Sequence, residues 1–112
     1  RELVGADNVI DMQPCRSANY CCGGGGGFLQ AGMNDQRRAY GKRKFDQIAA
    51  TQAEYVLTPC HNCHSQITDI GEVYSGDYRV IHFWTLICLS LGILGENERK
   101  YLGPDLAGIG LP

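Results

Sequence analysis

Several features that mark common protein classes are missing from this sequence. The longest apolar run, residues 80–94, is shorter than the roughly 20 residues of a membrane-spanning helix, and it contains His82 and Ser90. The net charge of −2 provides no basic excess for binding nucleic acid. The glycine run at residues 23–27 is not followed by the Gly-Lys-Ser or Gly-Lys-Thr of a phosphate-binding loop. We therefore expect a protein that neither spans a membrane nor binds nucleic acid.

The cysteine pattern is not that of a secreted, disulfide-bonded protein. The six cysteines fall as a single residue, an adjacent pair, a C-x-x-C pair and one residue in an apolar run: Cys15, Cys21 with Cys22, Cys60 with Cys63, and Cys88. Residues 1–5 contain no apolar segment of the kind found in signal peptides, and the first residue is not methionine. We expect a reduced, cytoplasmic setting in which the thiols bind metal or do redox chemistry, and a chain that is part of a longer protein.

Strands and helices alternate in the predicted secondary structure. Short apolar runs that end at turn residues predict three strands, at residues 9–12, 55–58 and 78–81. Helical periodicity predicts three helices, at about residues 34–53, 63–74 and 83–94, the last of them apolar nearly all round and packed in the core. This order predicts an α/β domain over residues 1–94, with a small parallel sheet of about three strands and helices on its faces. Residues 95–112 are rich in glycine and proline, which predicts an irregular tail.

Each cysteine pair follows a predicted strand. The carboxyl ends of parallel strands share one edge of a sheet, and right-handed crossovers bring successive loops to that edge. Cys22 and Cys60 are separated by 37 residues in the chain, yet both should arrive there. The sequence therefore predicts that the two pairs form one metal site at the carboxyl edge of the sheet.

Thiolates are the ligands of iron–sulfur clusters, and the start of a helix favours them. The C-x-x-C pair lies where the second predicted helix begins, so the helix dipole and the free N–H groups lower the pKa of its thiols. Adjacent side chains diverge too far for one tetrahedral zinc but suit a cluster with several irons. Glycines let backbone N–H groups approach the anionic sulfurs. The predicted ligands and backbone donors are Cys21, Cys22, Cys60, Cys63, Gly23, Gly24 and Gly25.

Other chemistries match part of this pattern and stay open at this point. The run Cys-His-Asn-Cys-His at residues 60–64 matches the attachment signature of c-type haem, with His64 as an axial ligand. A thioredoxin-like dithiol also places C-x-x-C between a strand and a helix, and four thiolates can hold zinc. None of these alternatives accounts for the adjacent pair together with its glycines.

The combined motif resembles a known family. The run Cys-Cys-Gly-Gly-Gly-Gly at residues 21–26, a helix, a strand and then Pro-Cys-x-x-Cys at residues 59–63 are similar to the cysteine-rich "CCG" domain of heterodisulfide reductase catalytic subunits. That domain also occurs in lactate- and glycolate-oxidising iron–sulfur subunits. Residues 58–65 look most like the iron–sulfur subunit of the membrane complex associated with dissimilatory sulfite reductase, a complex of sulfate respiration. The resemblance covers about residues 1–94.

The resemblance implies a function and a set of partners. In the family, five cysteines hold a non-cubane iron–sulfur cluster that opens disulfides; a conventional [4Fe–4S] cluster is the other form we consider. Electrons would come from other iron–sulfur and membrane subunits of a complex on the cytoplasmic side of the membrane. The substrate would be a disulfide of a small molecule or a small protein. The family's first cysteine lies more than thirty residues before the adjacent pair, whereas only 20 residues precede Cys21, and Cys15 is in the wrong place to replace it.

Three histidines and a basic segment are further candidates. His61 and His64 flank the C-x-x-C pair and His82 follows the third predicted strand, so each is a candidate proton donor or a structural residue. Cys88 is predicted to be a small core residue. Five of the ten basic residues fall within residues 37–44, which predicts either a solvated helix face or a docking surface for an acidic partner. The basic side chains predicted on the solvated side are Arg37, Arg38, Lys42 and Lys44.

Overall fold

The computed structural model describes residues 1–94 of the chain, so the predicted tail at residues 95–112 lies outside the described residues. The helices and strands are, in chain order, α1 (Asn34–Ala49), β1 (Tyr55–Thr58), α2 (His61–Val73), β2 (Arg79–His82) and α3 (Phe83–Ser90). Single 3-10 turns occupy Ala6–Asn8 and Arg16–Ala18. The chain divides into two compact units: Ile10–His82 holds α1, β1, α2 and β2, while Arg1–Val9 groups with the chain from Phe83 onward.

The sheet is parallel, as predicted, but within residues 1–94 it has two strands instead of three. β1 pairs with β2 in a register that sets Tyr55 opposite Arg79 and Thr58 opposite His82. The predicted strand at residues 9–12 is wrong. Ile10 is 56% exposed, and only the side chain of Met12 packs against the core. A strand with one buried side chain gains too little packing to hold a third position in the sheet.

The central helix α2 follows directly from the end of β1. Pro59 stops the strand, and Cys60 is the N-cap residue of α2 with extended backbone angles. The helix ends in a Schellman motif, in which Ser75 adopts φ 56° and the Gly76 N–H donates to the Gly71 carbonyl over 2.8 Å. α2 packs against α1 and against both strands, so the start of α2 lies at the carboxyl end of the sheet.

Helix α1 buries a partly polar stripe, which corrects the predicted solvated face. Its buried residues are Arg37, Gly41, Lys44, Gln47 and Ile48. Arg37 and Lys44 were predicted on the solvated side and lie inside instead, because polar groups from other parts of the chain bond to them. The basic segment is therefore not an uninterrupted docking surface. Lys42 is exposed, as predicted, and pairs with Asp46 one turn along α1.

Gly41 and the apolar residues of the first unit explain how closely its elements pack. A Cβ atom at Gly41 would lie 2.6 Å from Gln66 Nε2 and 2.8 Å from Ile70 Cγ2, so only glycine lets α1 approach α2 this closely. The buried core consists of Cys22, Ile48, Val56 and Ile67, with partly buried Met12, Cys63, Tyr78 and Val80 packed against it. Two of the predicted ligands are thus part of the core itself.

The last helix, α3, is shorter and more exposed than predicted. It ends at Ser90 instead of continuing to residue 94, and Gly92 follows with φ 65°. Leu89 is its buried residue, whereas Trp84 is 61% exposed. The prediction of a core helix buried all round is therefore wrong for the described residues. No helix within residues 1–94 combines the length and apolar character that crossing a bilayer requires.

A buried ion pair ties α1 to α2. The Asp69 carboxylate lies 2.9 Å from Arg37 Nη2, and the same carboxylate accepts two hydrogen bonds of 2.9 Å from the Arg38 guanidinium. The Arg37 side chain is almost fully buried, so its charge depends on this partner. The Arg38 hydrogen bonds, and then Arg37, hold the pKa of Asp69 below its usual value despite some burial of the carboxyl group.

Replacing Asp69 is expected to destabilise the fold in a pH-dependent way. Asp69→Asn leaves the buried Arg37 charge without its counter-ion and should lower the free energy of unfolding by about 2 kcal/mol at neutral pH. Because the folded-state pKa of Asp69 is depressed, its contribution is present above the unfolded pKa of about 3.9 and is lost as pH falls through the lower folded value. Denaturant unfolding at pH 7 and pH 3 measures both effects. The matched control Asp46→Asn removes an exposed pair and should cost less than about 0.5 kcal/mol; equal losses for the two variants would contradict the prediction.

Candidate metal centre

The two cysteine pairs meet through Cys22 and Cys63. Their Sγ atoms lie 3.1 Å apart, and all six cysteines are free thiols. Thiolates that share one tetrahedral metal are about 3.8 Å apart, given metal–sulfur bonds of about 2.3 Å. Small side-chain adjustments therefore suffice to place both sulfurs on one metal or one cluster. The predicted single site is supported by this contact, although the residues before Cys21 do not form the strand that was expected to deliver the pair.

Cys63 lies in the first turn of α2 with its sulfur between two other thiols. Burial raises the pKa of Cys63 to about 12, and the neighbouring Cys22 and Cys60 thiols raise it further. A thiol in this environment keeps its proton until a cation replaces it, because a coordinating metal deprotonates thiols outright. The arrangement favours Cys63 as a metal ligand over Cys63 as a free nucleophile.

Cys60 has the opposite character. Its sulfur is exposed, and the backbone N–H groups of Cys63 and Asn62 at the start of α2 lower its pKa. The first N–H groups of a helix have no partner within the helix, so a thiolate at the N-cap satisfies them. The C-x-x-C pair therefore offers one exposed, acidic thiol and one half-buried thiol.

The adjacent pair is divided in the same way between solvent and core. Cys21 is exposed and Cys22 is buried. The Gly23 N–H donates a 3.4 Å hydrogen bond to Cys21 Sγ, and Gly23 adopts φ 86°, a conformation that favours glycine. This is a direct instance of the predicted role of the glycines, a backbone N–H directed at a ligand sulfur.

The glycine loop lies directly on α2. A Cβ atom at Gly24 would come within 2.7 Å of Gln66 Cβ and 3.1 Å of the Asn62 carbonyl oxygen, so the loop fits only without a side chain there. Gly25 has no atom within 4 Å of the same position. Of the three predicted backbone donors, Gly23 and Gly24 are thus structurally required, whereas Gly25 is not packed against the site.

A buried glutamine holds the adjacent pair in place. Gln66 is fully buried, and its Nε2 donates to the carbonyl oxygens of Cys22 at 2.9 Å and Arg37 at 3.3 Å. Its Oε1 accepts a hydrogen bond from Arg37 Nη1, which links this network to Asp69. The backbone of Cys22 is therefore fixed by α1 and α2 together, 44 residues away along the chain from Gln66.

Sequence reasoning missed Gln66, Arg37 and Lys44 as parts of this region. A signal for Gln66 was present: it is the polar member of the otherwise apolar face formed by Cys63, Ile67 and Ile70. A polar residue in such a face is buried and needs hydrogen-bond partners. Residues 37 and 44 likewise share a face of α1 with Gly41 and Ile48.

The three histidines lie in the same unit as the cysteine pairs. His61 is exposed at the start of α2, and His82 is opposite Thr58 at the end of the sheet. Burial lowers the pKa of His64, and the charges of His82 and His61 lower it further. The predicted histidines therefore gather near the C-x-x-C pair, within electrostatic reach of one another.

The sulfurs are brought together in part and not as a closed set. Cys63 interacts with both Cys22 and Cys60, and Cys21 is directed toward Gly23. Among residues 1–94, no three His, Cys, Asp or Glu side chains converge as a metal-binding group. Cys15 caps the second 3-10 turn, and Cys88 lies in α3 in the other unit.

Comparisons with known proteins agree with the motif. The chain is 45% identical over 49 residues to an uncharacterised iron–sulfur protein of Methanococcus maripaludis, which covers 44% of this chain and 10% of that protein. It is 27% identical over 84 residues to one subunit of the dihydromethanophenazine:CoB–CoM heterodisulfide reductase of Methanosarcina barkeri, which covers 75% of this chain and 20% of that relative. The chain thus spans a tenth to a fifth of the length of these curated relatives. No solved structure matches it.

The family itself follows from a match over more than half of the chain. Residues 1–68, which include both cysteine pairs and the glycine loop, match the family of the cysteine-rich domain, CCG. The comparisons confirm the predicted family and support the predicted iron–sulfur cofactor. The chain therefore belongs to the CCG cysteine-rich domain family.

Proposed function

We propose that this chain is the cluster-binding domain of a heterodisulfide reductase-like oxidoreductase. The observation that carries the proposal is the 3.1 Å contact between the sulfurs of Cys22 and Cys63, which joins the adjacent pair to the C-x-x-C pair. Cys21, Cys22, Cys60 and Cys63 are the proposed ligands. The family and the named relatives support an iron–sulfur cofactor of either the non-cubane or the [4Fe–4S] form.

The residues around the thiols fit such a cofactor. The Gly23 N–H already donates to a ligand sulfur, and the loop approaches α2 where no Cβ atom fits at Gly24. The Thr58 hydroxyl is buried with no hydrogen-bond partner among residues 1–94. Thr58 ends β1 on the same buried face as Val56, which packs with Cys22. A hydroxyl in this place is available as a donor to a cluster sulfur.

The exposure of the four thiols gives the site a direction. Cys22 and Cys63 pack into the core, whereas Cys21 and Cys60 are exposed to solvent. Substrate would therefore approach from the side of Cys21 and Cys60, and the core residues would exclude water from the opposite side. A contact between Cys63 and Cys22 within the core favours this arrangement over haem attachment, which would need both C-x-x-C sulfurs to face the porphyrin.

The proposed reaction is the reduction of a disulfide to two thiols, which consumes two electrons and two protons. When bound, the cluster would supply electrons singly and an iron that accepts a substrate sulfur. The protein would hold the substrate at the exposed side and deliver protons to the departing sulfurs. His61, His64 and His82 are the proposed proton carriers, because they lie beside the C-x-x-C pair.

The partners follow from the same proposal. Electrons would come from other iron–sulfur subunits of a membrane-associated complex facing the cytoplasm, in a respiratory or energy-conserving setting such as sulfate respiration. The relative from Methanosarcina barkeri is named as one subunit of a larger enzyme, which supports such an assembly. The substrate would be a small molecule or a small protein that carries a disulfide.

Metal analysis tests this proposal. Protein prepared without oxygen is expected to contain iron and acid-labile sulfide and to show broad visible absorption that bleaches on reduction. Zinc without sulfide would overturn the proposal in favour of a structural thiolate site. A covalently attached haem, seen in the pyridine haemochrome spectrum, would overturn it in favour of a c-type cytochrome.

A further inference from the structure

We propose that Lys44 is a positioning residue whose buried ammonium group is the fixed counter-charge of the cysteine site, favouring its anionic, reduced state. This inference rests on the proposed function, since it concerns the same four thiolates. It adds a role to a residue that the motif does not include and that lies 19 residues before Cys63.

The Lys44 side chain is held in one position inside the protein. The residue is 4% exposed. Its Nζ atom donates hydrogen bonds to Asn19 Oδ1 at 2.8 Å and Gln47 Oε1 at 2.5 Å, and Met12 Sδ lies 3.9 Å away. Lysine is almost never buried without an opposing charge, because removing an ammonium from water is costly.

The neighbours of Lys44 place this ammonium beside the adjacent cysteine pair. Gly41, three residues earlier in α1, faces the Cys22 carbonyl oxygen, and Ile48, four residues later, packs with the Cys22 side chain. Asn19, which accepts from Lys44, is two residues before Cys21 in the chain. Lys44 is therefore surrounded by residues that also contact or adjoin the ligands.

The charges that oppose Lys44 are those of the ligand cysteines. Within residues 1–94, Lys44 forms no ion pair with a carboxylate, in contrast to Arg37, Arg38 and Lys42. Burial lowers the pKa of Lys44, and the charges of Cys22, Cys21 and Cys63 raise it again. A protonated Lys44 is thus stabilised when these sulfurs are thiolates, and the thiolates are stabilised in turn.

The consequence concerns both metal binding and redox potential. Four thiolates around a metal or a cluster form an anionic group, and one-electron reduction adds a further negative charge. A fixed positive charge beside the site favours each of these changes. Lys44 should therefore strengthen binding of thiolate-seeking cations and make the midpoint potential of the cluster less negative.

Substitutions of Lys44 and a matched lysine test this role. We would compare Lys44→Gln, Lys44→Met and Lys44→Arg with the exposed control Lys42→Gln, using anaerobic protein whose fold is verified by circular dichroism. In metal-free protein, Cd²⁺ is the probe, and the neutral Lys44 variants should bind it about tenfold more weakly. In cluster-loaded protein, a redox titration should give a more negative midpoint potential for the same variants. Lys44→Arg and Lys42→Gln should behave like the unmodified protein in both measurements.

The outcomes separate this inference from the proposed function. Loaded protein with unchanged potential and unchanged Cd²⁺ affinity in Lys44→Gln or Lys44→Met would overturn the counter-charge while leaving the iron–sulfur function intact. Absence of iron and sulfide in the unmodified protein would overturn the proposed function, and the Cd²⁺ affinities would still decide the role of Lys44. If Lys44→Gln does not fold, Lys44→Met provides the neutral side chain of similar length. Equal loss of affinity in Lys44→Arg would show a structural role only and overturn the inference.

Discussion

Replacing any one of Cys21, Cys22, Cys60 or Cys63 by serine is expected to lower disulfide reduction by orders of magnitude in the complete protein that carries this domain. Each substitution removes a thiolate from a site that the structure assembles from both pairs. Activity with an artificial electron donor and a disulfide substrate, measured anaerobically, checks this. The isolated 112-residue chain is expected to show no such activity even with iron and sulfide supplied, since the family motif has a fifth cysteine that this chain lacks.

Two other cysteines provide the controls for this prediction. Cys15→Ser should keep near-native activity, because Cys15 caps a 3-10 turn and does not contact the pair sulfurs. Cys88→Ala should act only through stability, costing about 1 kcal/mol as a partly buried small side chain. Full turnover by the 112-residue chain, lost on Cys15→Ser, would show that Cys15 serves as the fifth ligand and that our explanation is wrong.

A single methyl group at Gly24 is expected to disrupt the site, whereas the same change at Gly25 should be silent. In Gly24→Ala the new Cβ atom would meet Gln66 Cβ at 2.7 Å, an atom next to the helix backbone that cannot rotate away. The loop must then lift from α2, which should lower the free energy of unfolding by about 2 kcal/mol and displace Cys22 from Cys63. Gly25 has a negative or extended φ and no neighbour within 4 Å, so Gly25→Ala should leave both stability and iron content unchanged.

The two variants are compared by denaturant unfolding of the metal-free protein and by iron analysis of the loaded protein. Measuring the metal-free protein separates loop packing from cofactor binding. Equal effects of Gly24→Ala and Gly25→Ala would contradict the close approach of the loop to α2. Such a result would instead favour a glycine run whose only property is flexibility.

The β1–α2–β2 part of the fold could be predicted from sequence because its signals are local. Tyr55–Thr58 is a β-rich run stopped by proline, and α2 repeats apolar residues at helical spacing. The predicted strand at residues 9–12 had a similar local pattern. Its failure reflects a missing neighbour, since strand formation needs a partner edge that a local pattern does not supply.

The buried charges of α1 could not be predicted in the same way. Arg37 and Lys44 are polar by composition, and their partners Asp69, Gln66 and Asn19 are 25 to 32 residues distant in the chain. Helical periodicity assigns such residues to solvent unless these long-range bonds are known. The same long-range bonding, through Gln66, brings Cys22 to Cys63 without the strand that sequence reasoning invoked.

The central claim, that both pairs serve one site, is tested most directly by iron and sulfide analysis of single substitutions. Cys22→Ser and Cys63→Ser would be prepared anaerobically beside the unmodified protein and Cys88→Ser, and iron and sulfide would be counted per chain. We predict that either ligand substitution removes essentially all iron and sulfide while Cys88→Ser retains them, because a cluster shared by both pairs is lost as a unit. Retention of half the metal in Cys22→Ser and of the other half in Cys63→Ser would show two independent sites and contradict the claim.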